Sequence, residues 1–180
     1  GALLACVEQN SNHLPELEVR PPAPRQAPAA KTRFNDWIWE HERGDQRHVG
    51  WQNEGFQIEG VLVRPPGYEE GKAYPLLLFS HGGPHHRVTC ALNLEWQALA
   101  AQGYLVLAPN FRGSAGYGVE FLDADRGDWG GGDYRDLMSG VDALVRSGVA
   151  DPERLGMFGG SYGGYMTCWV VANTDRFFAA

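Results

Sequence analysis

The sequence is poor in several features that would each have named a class of protein. It has only three cysteines, Cys6, Cys90 and Cys168. They are far apart, odd in number and in no CxxC spacing, which excludes a disulfide framework and a structural zinc site and points to a reducing, cytoplasmic compartment. No apolar run approaches the roughly 20 residues needed to cross a bilayer. Basic charge is scarce as well: Lys and Arg number 15 against 22 Asp and Glu, a formal net charge of -7. With no basic stripe to neutralise phosphates, neither nucleic acid nor an anionic membrane surface is an expected partner. No internal repeat is visible. The chain does not begin with Met and shows no charged segment followed by an apolar one, so no signal peptide is read, and upstream sequence is expected to be missing.

What is present is a globular composition, 43% hydrophobic and 12% aromatic over 180 residues, enough for one substantial core. Two short apolar runs, Ala2 to Val7 and Leu17 to Val19, flank a polar stretch and read as strand, turn, strand. A lone hairpin is at best marginally stable, so this pair is expected to belong to a larger β structure. Arg20 to Lys31 carries Pro21, Pro22, Pro24 and Pro28 among alanines and reads as an interdomain linker. Phe34 to Glu42 is a short helix or lead-in segment.

Beyond it the periodicity alternates between strand and helix. Phe56 to Val63 and the continuously apolar Pro75 to Ser80 read as strands, the latter buried on both faces as in a parallel sheet. Asn93 to Gln102 reads as a helix and Tyr104 to Ala108 as the next buried strand. Asp133 to Arg146 places Leu137, Val141, Leu144 and Val145 on one helical face, with Asp133 as N-terminal cap and Gly148 just past the end. Leu155 to Phe158 is a strand, Tyr162 to Val171 a helix, and Phe177 begins another strand. Strands alternating with helices at this spacing specify an α/β fold with a mostly parallel sheet.

The chemistry concentrates in two segments. Gly159-Gly160-Ser161-Tyr162-Gly163 fits G-x-S-x-G between an expected strand and an expected helix. In that context a serine is held in a strained turn with Oγ projecting from the sheet. The following helix directs its free amides and dipole at developing negative charge. The plain alternative is a glycine-rich turn without chemistry. A phosphate loop is excluded, because Tyr165 and Met166 stand where Lys and Ser or Thr would be required. The second segment, Phe79-Ser80-His81-Gly82-Gly83-Pro84, follows a buried strand, where a hydrolase of this fold keeps its other oxyanion donor. Gly83 N-H and Tyr162 N-H are the candidate pair.

His81, His85 and His86 do not read as metal ligands, since Gly82-Gly83-Pro84 forbids a helix and no HExxH glutamate is present. His81 is expected to orient the oxyanion loop through its ring nitrogens. No cofactor and no metal are expected. Arg112, in the loop 110–118, either pairs with a substrate carboxylate or ties loops together near the site.

Four segments together, His81-Gly82-Gly83-Pro84, the loop from Asn110 to Gly118, the tract from Arg126 to Tyr134, and Gly159 to Gly164, resemble the prolyl oligopeptidase family, closest to its acylaminoacyl peptidase and dipeptidyl aminopeptidase branch. The resemblance covers about residues 34–180. It implies an α/β-hydrolase fold preceded by a β-propeller. It divides the chain into the end of a propeller blade at 1–19, a linker at 20–33, and the first part of the catalytic domain at 34–180, incomplete at the C-terminus. It also implies Ser161 as the nucleophile, an acyl-enzyme mechanism on short peptides, and an oxyanion hole at Tyr162 and Gly83. The sequence departs from the family pattern at one point: in this fold the acid and then the histidine follow the serine, yet all six histidines precede Ser161. Asp175, the sole carboxylate after Ser161, comes too early to be the triad acid. The chain is therefore expected to be an internal piece of a longer enzyme and inactive alone. An ester hydrolase of the same fold and a noncatalytic truncated chain are the alternatives. The sequence does not specify an oligomeric state.

Overall fold

The computed structural model describes residues 2–22 and 30–180. A small antiparallel sheet opens the chain, formed by β1 (Leu4–Glu8), β2 (Glu16–Arg20) and β3 (Ala30–Lys31) in that order. The expected strand pair is thus present, joined by a third short strand. The proline-rich stretch read as a linker lies largely outside the described residues, at 23–29. Its described ends, Arg20 and Ala30–Lys31, are hydrogen-bonded into this sheet. A 3-10 helix at Asp36–Glu40 follows, and its Ile38 buries against Leu14 and Leu92. Together with the Leu92 N-H donated to Asn10 O, this contact seats the small sheet on the rest of the molecule.

The main sheet has six strands: β4 (Asp45–Asn53), β5 (Phe56–Arg64), β6 (Tyr74–Ser80), β7 (Leu105–Asn110), β8 (Ala150–Gly159) and β9 (Phe177–Ala179). Their spatial order is β4-β5-β7-β6-β8-β9. The pairs from β7 across β6 and β8 to β9 are parallel, while β4, β5 and β7 pair antiparallel. Four helices connect these strands: α1 (Leu94–Ala101), α2 (Val119–Asp123), α3 (Gly132–Arg146) and α4 (Tyr162–Asn173). Among the described residues no helix is long and apolar enough to cross a membrane.

The alternation of the strands sorts the core into two layers. Leu76, Leu78, Leu105, Leu107, Leu155 and Met157 face α3 and α4, where they meet Leu137, Val141, Met166 and Val170. Their neighbours Leu77, Phe79, Val106 and Ala108 turn to the other face and meet Trp96 and Ala100 of α1. Period-two side-chain direction is what lets one apolar run serve both layers. Helix ends follow the expected chemistry at two places. The Asn93 side chain accepts the Trp96 N-H at 3.1 Å, and Gly148, at φ 75°, closes α3 in the left-handed conformation that glycine adopts without steric penalty.

The connection after β6 runs over the α1 face, whereas the connection after β8 runs over the α4 face. Adjacent parallel strands whose connections part to opposite faces leave a crevice at their carboxyl ends. Here that crevice lies at Ser80 and Gly159, which are register partners.

Candidate active site

The turn at the end of β8 is held by two backbone bonds. Gly163 N-H donates to Gly160 O at 2.9 Å, and Tyr165 N-H donates to Ser161 O at 3.1 Å. Between strand and helix, Ser161 adopts φ 58° and ψ -120°, a conformation that L-residues rarely occupy and that surrounding structure must impose. Its side chain is exposed and caps nothing. The glycines around it are not equivalent. A Cβ on Gly159 would lie 2.4 Å from Ser80 O, and one on Gly163 would lie 2.0 Å from the same atom. A Cβ on Gly160 would meet nothing within 4 Å. The carbonyl ending β6 is thus wedged between the two glycines that flank the turn.

From that carbonyl the chain passes directly into the oxyanion-loop candidate. A Cβ on Gly82 would stand 3.4 Å from Ser161 Cβ and 3.9 Å from Oγ, so any side chain at this position would touch the serine and glycine leaves the space beside it open. Gly83 has φ 122° and no room for a side chain, since a Cβ would meet His85 N and His86 N at 2.5 Å. Among the described residues neither Gly83 N-H nor Tyr162 N-H donates to any acceptor. Both amides are free.

His81 is buried and stacks on Phe111 with ring centroids 4.3 Å apart. Its Nδ1 lies 2.8 Å from Gly82 O and its Nε2 2.8 Å from Ser114 Oγ. The orienting role read from sequence therefore has its partners. Burial lowers its pKa to about 4, so the ring is neutral at neutral pH. His85 and His86 are exposed on the same loop. His85 Nε2 sits 3.4 Å from Asp125 Oδ1, and no hydrogen bond joins either ring to Ser161.

Tyr162 presents its amide at the first position of α4 while its phenol is buried and donates to Asp133 Oδ2. Burial, then the Asp133 bond, drive the phenol far above its ordinary value. Burial also raises the Asp133 carboxyl, against the opposing pull of the phenol. Asp133 is consequently not the N-terminal cap that the sequence suggested. That position belongs to Gly131, and the open Gly132 N-H is taken by Asp128 Oδ2 at 2.8 Å. Asp133 sits two residues past the cap, still in the first turn, and its carboxylate is taken up by the buried Tyr162 phenol of α4.

Of the two roles open to Arg112, the structure shows the loop-tying one. Its Nε and Nη2 reach Asp136 Oδ2 and Oδ1 at 2.9 and 2.7 Å, its Nη1 reaches Glu54 at 3.0 Å, and the guanidinium lies over the Phe56 ring. Asp136 is fully buried and also accepts the Arg112 N-H and the Asn53 amide. Asp136 was not singled out from sequence, since only its distance in the chain from Arg112 hides the pairing. Asp175 lies beyond the far end of α4, a helix of 12 residues, which puts it roughly 18 Å from Ser161 at 1.5 Å per residue. A cleft of about 470 Å³ opens beside the site, bounded by Gly82, His86, Trp96 and Gly160, with Gln9 contributed by the loop after β1.

Comparison with known proteins places this arrangement. Residues 90–180 match the model of the prolyl oligopeptidase family. An uncharacterized peptidase of Bacillus subtilis, YuxL, is 47% identical over 152 residues, which is 83% of this chain and 23% of that protein. Dipeptidyl-peptidase 5 of Porphyromonas gingivalis is 36% identical over 121 residues, 66% of this chain and 18% of its own length. Among solved structures, the Pyrococcus horikoshii acylaminoacyl peptidase superposes with a TM-score of 0.85 at 28% identity, covering 98% of this chain and 28% of that one. The chain thus spans between 18% and 28% of the length of these three proteins.

Proposed function

Because the chain belongs to the prolyl oligopeptidase family, we propose that Ser161 is the nucleophile of a serine peptidase acting on short peptides. The observation that carries this reading is the serine itself, exposed at φ 58° between β8 and α4, with Gly82 leaving open the space beside its side chain, where a Cβ would stand 3.4 Å from Ser161 Cβ. Ser161 Oγ attacks the scissile carbonyl and gives its proton to a general base. The negative charge that forms on the carbonyl oxygen is met by the free amides of Tyr162 and Gly83, which are oriented before the reaction begins. The C-N bond then breaks, the amine departs with the proton, and water hydrolyses the resulting ester.

The base and its orienting acid are proposed to come from parts of the protein other than these 180 residues. His81 is neutral with both nitrogens engaged, His85 and His86 make no bond to Ser161, and Asp175 stands at the wrong end of α4. The relatives, several times longer than this chain, have room for both groups. The 180 residues alone are accordingly expected to lose several orders of magnitude in rate.

The test is covalent labelling of the whole protein with a fluorophosphonate, with the adduct located by mass spectrometry. A single adduct on Ser161, abolished by Ser161→Ala, together with cleavage of acyl-peptide or dipeptide anilides, is the expected result. An adduct elsewhere removes Ser161 from the role. Cleavage of p-nitrophenyl esters with none of peptide anilides assigns the site to an ester hydrolase instead.

A further inference from the structure

The cleft beside Ser161 is lined by a cation that the fold seats and leaves unpaired. Arg87 borders it together with Gly160, which precedes the serine, and Gly82, which leaves the space beside the serine open. The backbone on either side of Arg87 is pinned. His86 O accepts the Ala115 N-H at 3.2 Å, Val88 N-H donates to Asn110 Oδ1 at 2.7 Å, and Asn110 Nδ2 donates back to Val88 O at 3.0 Å. The side chain then lies on Gly116, where a Cβ would meet Arg87 Nη1 at 2.5 Å, Cζ at 3.3 Å and Cδ at 3.4 Å. With φ 97° and no side chain, Gly116 gives the stem and head of the arginine a flat seat.

Seated in this way, the guanidinium binds nothing. Among the described residues Arg87 makes no ion pair and no side-chain hydrogen bond. Acids are not scarce: the chain has 22 Asp and Glu against 15 Lys and Arg, and Arg47, Arg64, Arg112 and Arg135 all reach carboxylates. The cleft, however, has no Asp or Glu among its lining residues, and Leu92 and Trp96 form an apolar part of its wall. Holding a long side chain in one geometry costs rotamer entropy. Here much of that ordering is supplied by Gly116 before any ligand arrives, which is the condition under which recognition costs least.

We propose that Arg87 makes this cleft a carboxylate subsite, so that the preferred short peptides carry a negative charge close to the bond that Ser161 attacks. The planar fork of a guanidinium matches a carboxylate with two parallel hydrogen bonds, and a low-dielectric wall concentrates its field. A compact space of 470 Å³ is roughly 8 Å across, and an extended residue spans about 3.3–3.6 Å, so the carboxylate belongs within about two residues of the scissile bond. Two sources present that chemistry, an acidic side chain and a free C-terminus. An ion pair open to water on all sides changes binding by no more than about fivefold. Paired hydrogen bonds to a charged group supply about 10-fold or more, and that larger figure is expected here. The effect on catalysis rests on Ser161 being the nucleophile, as proposed above; the carboxylate binding does not.

The experiment uses alanine-based tetrapeptides in matched pairs: a free C-terminal carboxylate against the amide, and Glu against Gln at each position of the amidated peptide. Binding is measured by calorimetry at neutral pH on the whole protein carrying Ser161→Ala. At least one charged peptide is expected to bind about 10-fold more tightly than its neutral partner, and the preference is expected to fall as salt rises. The pair that shows it names the source, a C-terminus or a side chain at a known position. In Arg87→Gln the ratio within that pair is expected to come within about twofold of one, while Arg87→Lys, a point charge without the fork, keeps only part of it. A general loss of binding leaves the ratio alone, so a merely structural role of Arg87 does not move it. A ratio below about twofold in every pair, or a preference unchanged in Arg87→Gln, overturns the proposal; should Arg87→Gln fail to fold, the partial loss in Arg87→Lys decides. With Ser161 restored, the same ratio is expected in kcat/KM, and a preference seen in binding alone refutes the role in specificity. If Ser161 is not the nucleophile, the fluorophosphonate experiment reports that failure separately.

Discussion

Gly160 and Gly163 lie on either side of Ser161, and substituting each with alanine should have opposite consequences. In Gly163→Ala the new methyl would lie 2.0 Å from Ser80 O and 2.9 Å from Ser80 C, where ordinary contact begins near 3.4 Å. Relief requires α4 to move more than an ångström away from β6, at the point where Ser80 and Gly159 are in register. Both obstructing atoms are backbone, so no side chain can swing aside. Overpacking of a tight interior typically costs about 1–3 kcal/mol and occasionally more, and a clash with two backbone atoms belongs at the upper end. Gly160→Ala meets nothing within 4 Å, and its φ is not in the left-handed region. Its alanine variant is expected to be neutral or up to about 1 kcal/mol more stable, through loss of unfolded-state entropy. For a chain of this size about 3 kcal/mol corresponds to roughly 6–12 °C in Tm. Urea unfolding and thermal melts of the two variants beside the wild type measure the difference. If Gly160→Ala is destabilised as much as Gly163→Ala, or if both are neutral, the wedge formed by the Ser80 carbonyl does not set the turn.

Two further outcomes follow from buried charge. Asp136→Ala strands the Arg112 guanidinium without its bidentate partner and is expected to cost about 3–5 kcal/mol in urea unfolding, with Arg112→Met/Asp136→Leu recovering a large part; a single substitution costing under about 1 kcal/mol would contradict this. His81 has its pKa lowered from 6.5 to about 4 in the fold, so the unfolded chain binds the extra proton first as pH falls. Its contribution is complete above pH 6.5 and is lost on descending toward pH 4, on the order of 3 kcal/mol in all. His81→Asn should flatten that slope of urea-derived stability against pH, and an unchanged slope would assign it to other groups.

The strands and helices that were legible in the sequence are those whose burial is one- or two-sided and local. The run Leu76 to Phe79 announces a strand between two layers, and Leu137 with Val141 announces the buried face of α3. The turn at Ser161 was legible because its chemistry, a small-residue frame between strand and helix, is contained within five residues. β4 was not, because it is an edge strand whose only buried side chain is Gln46, and its polar surface carries no apolar alternation. The two-residue turn Glu54-Gly55, both at positive φ, is the signal that could have revealed its hairpin. α2, only five residues long, is too short to show a helical period. Asp133 and Asp136 were misread or passed over for a different reason. Each is defined by a partner 29 or 24 residues away, and pairings at that separation leave no trace in local spacing.

The seating of the Ser80 carbonyl between Gly159 and Gly163 has a consequence for how such a site can diverge. Ser161 and the loop through His81, Gly82 and Gly83 are anchored to the same peptide group, so neither can be displaced without carrying the other along. Relative motion between Ser161 and Gly83 is then restrained at the carboxyl ends of β6 and β8, where both segments meet one carbonyl. Mutational tolerance should accordingly be lowest along this shared anchor. Variation has more room in surfaces outside this anchor, such as the exposed rings of Trp129 and Tyr165, which pack on Tyr162.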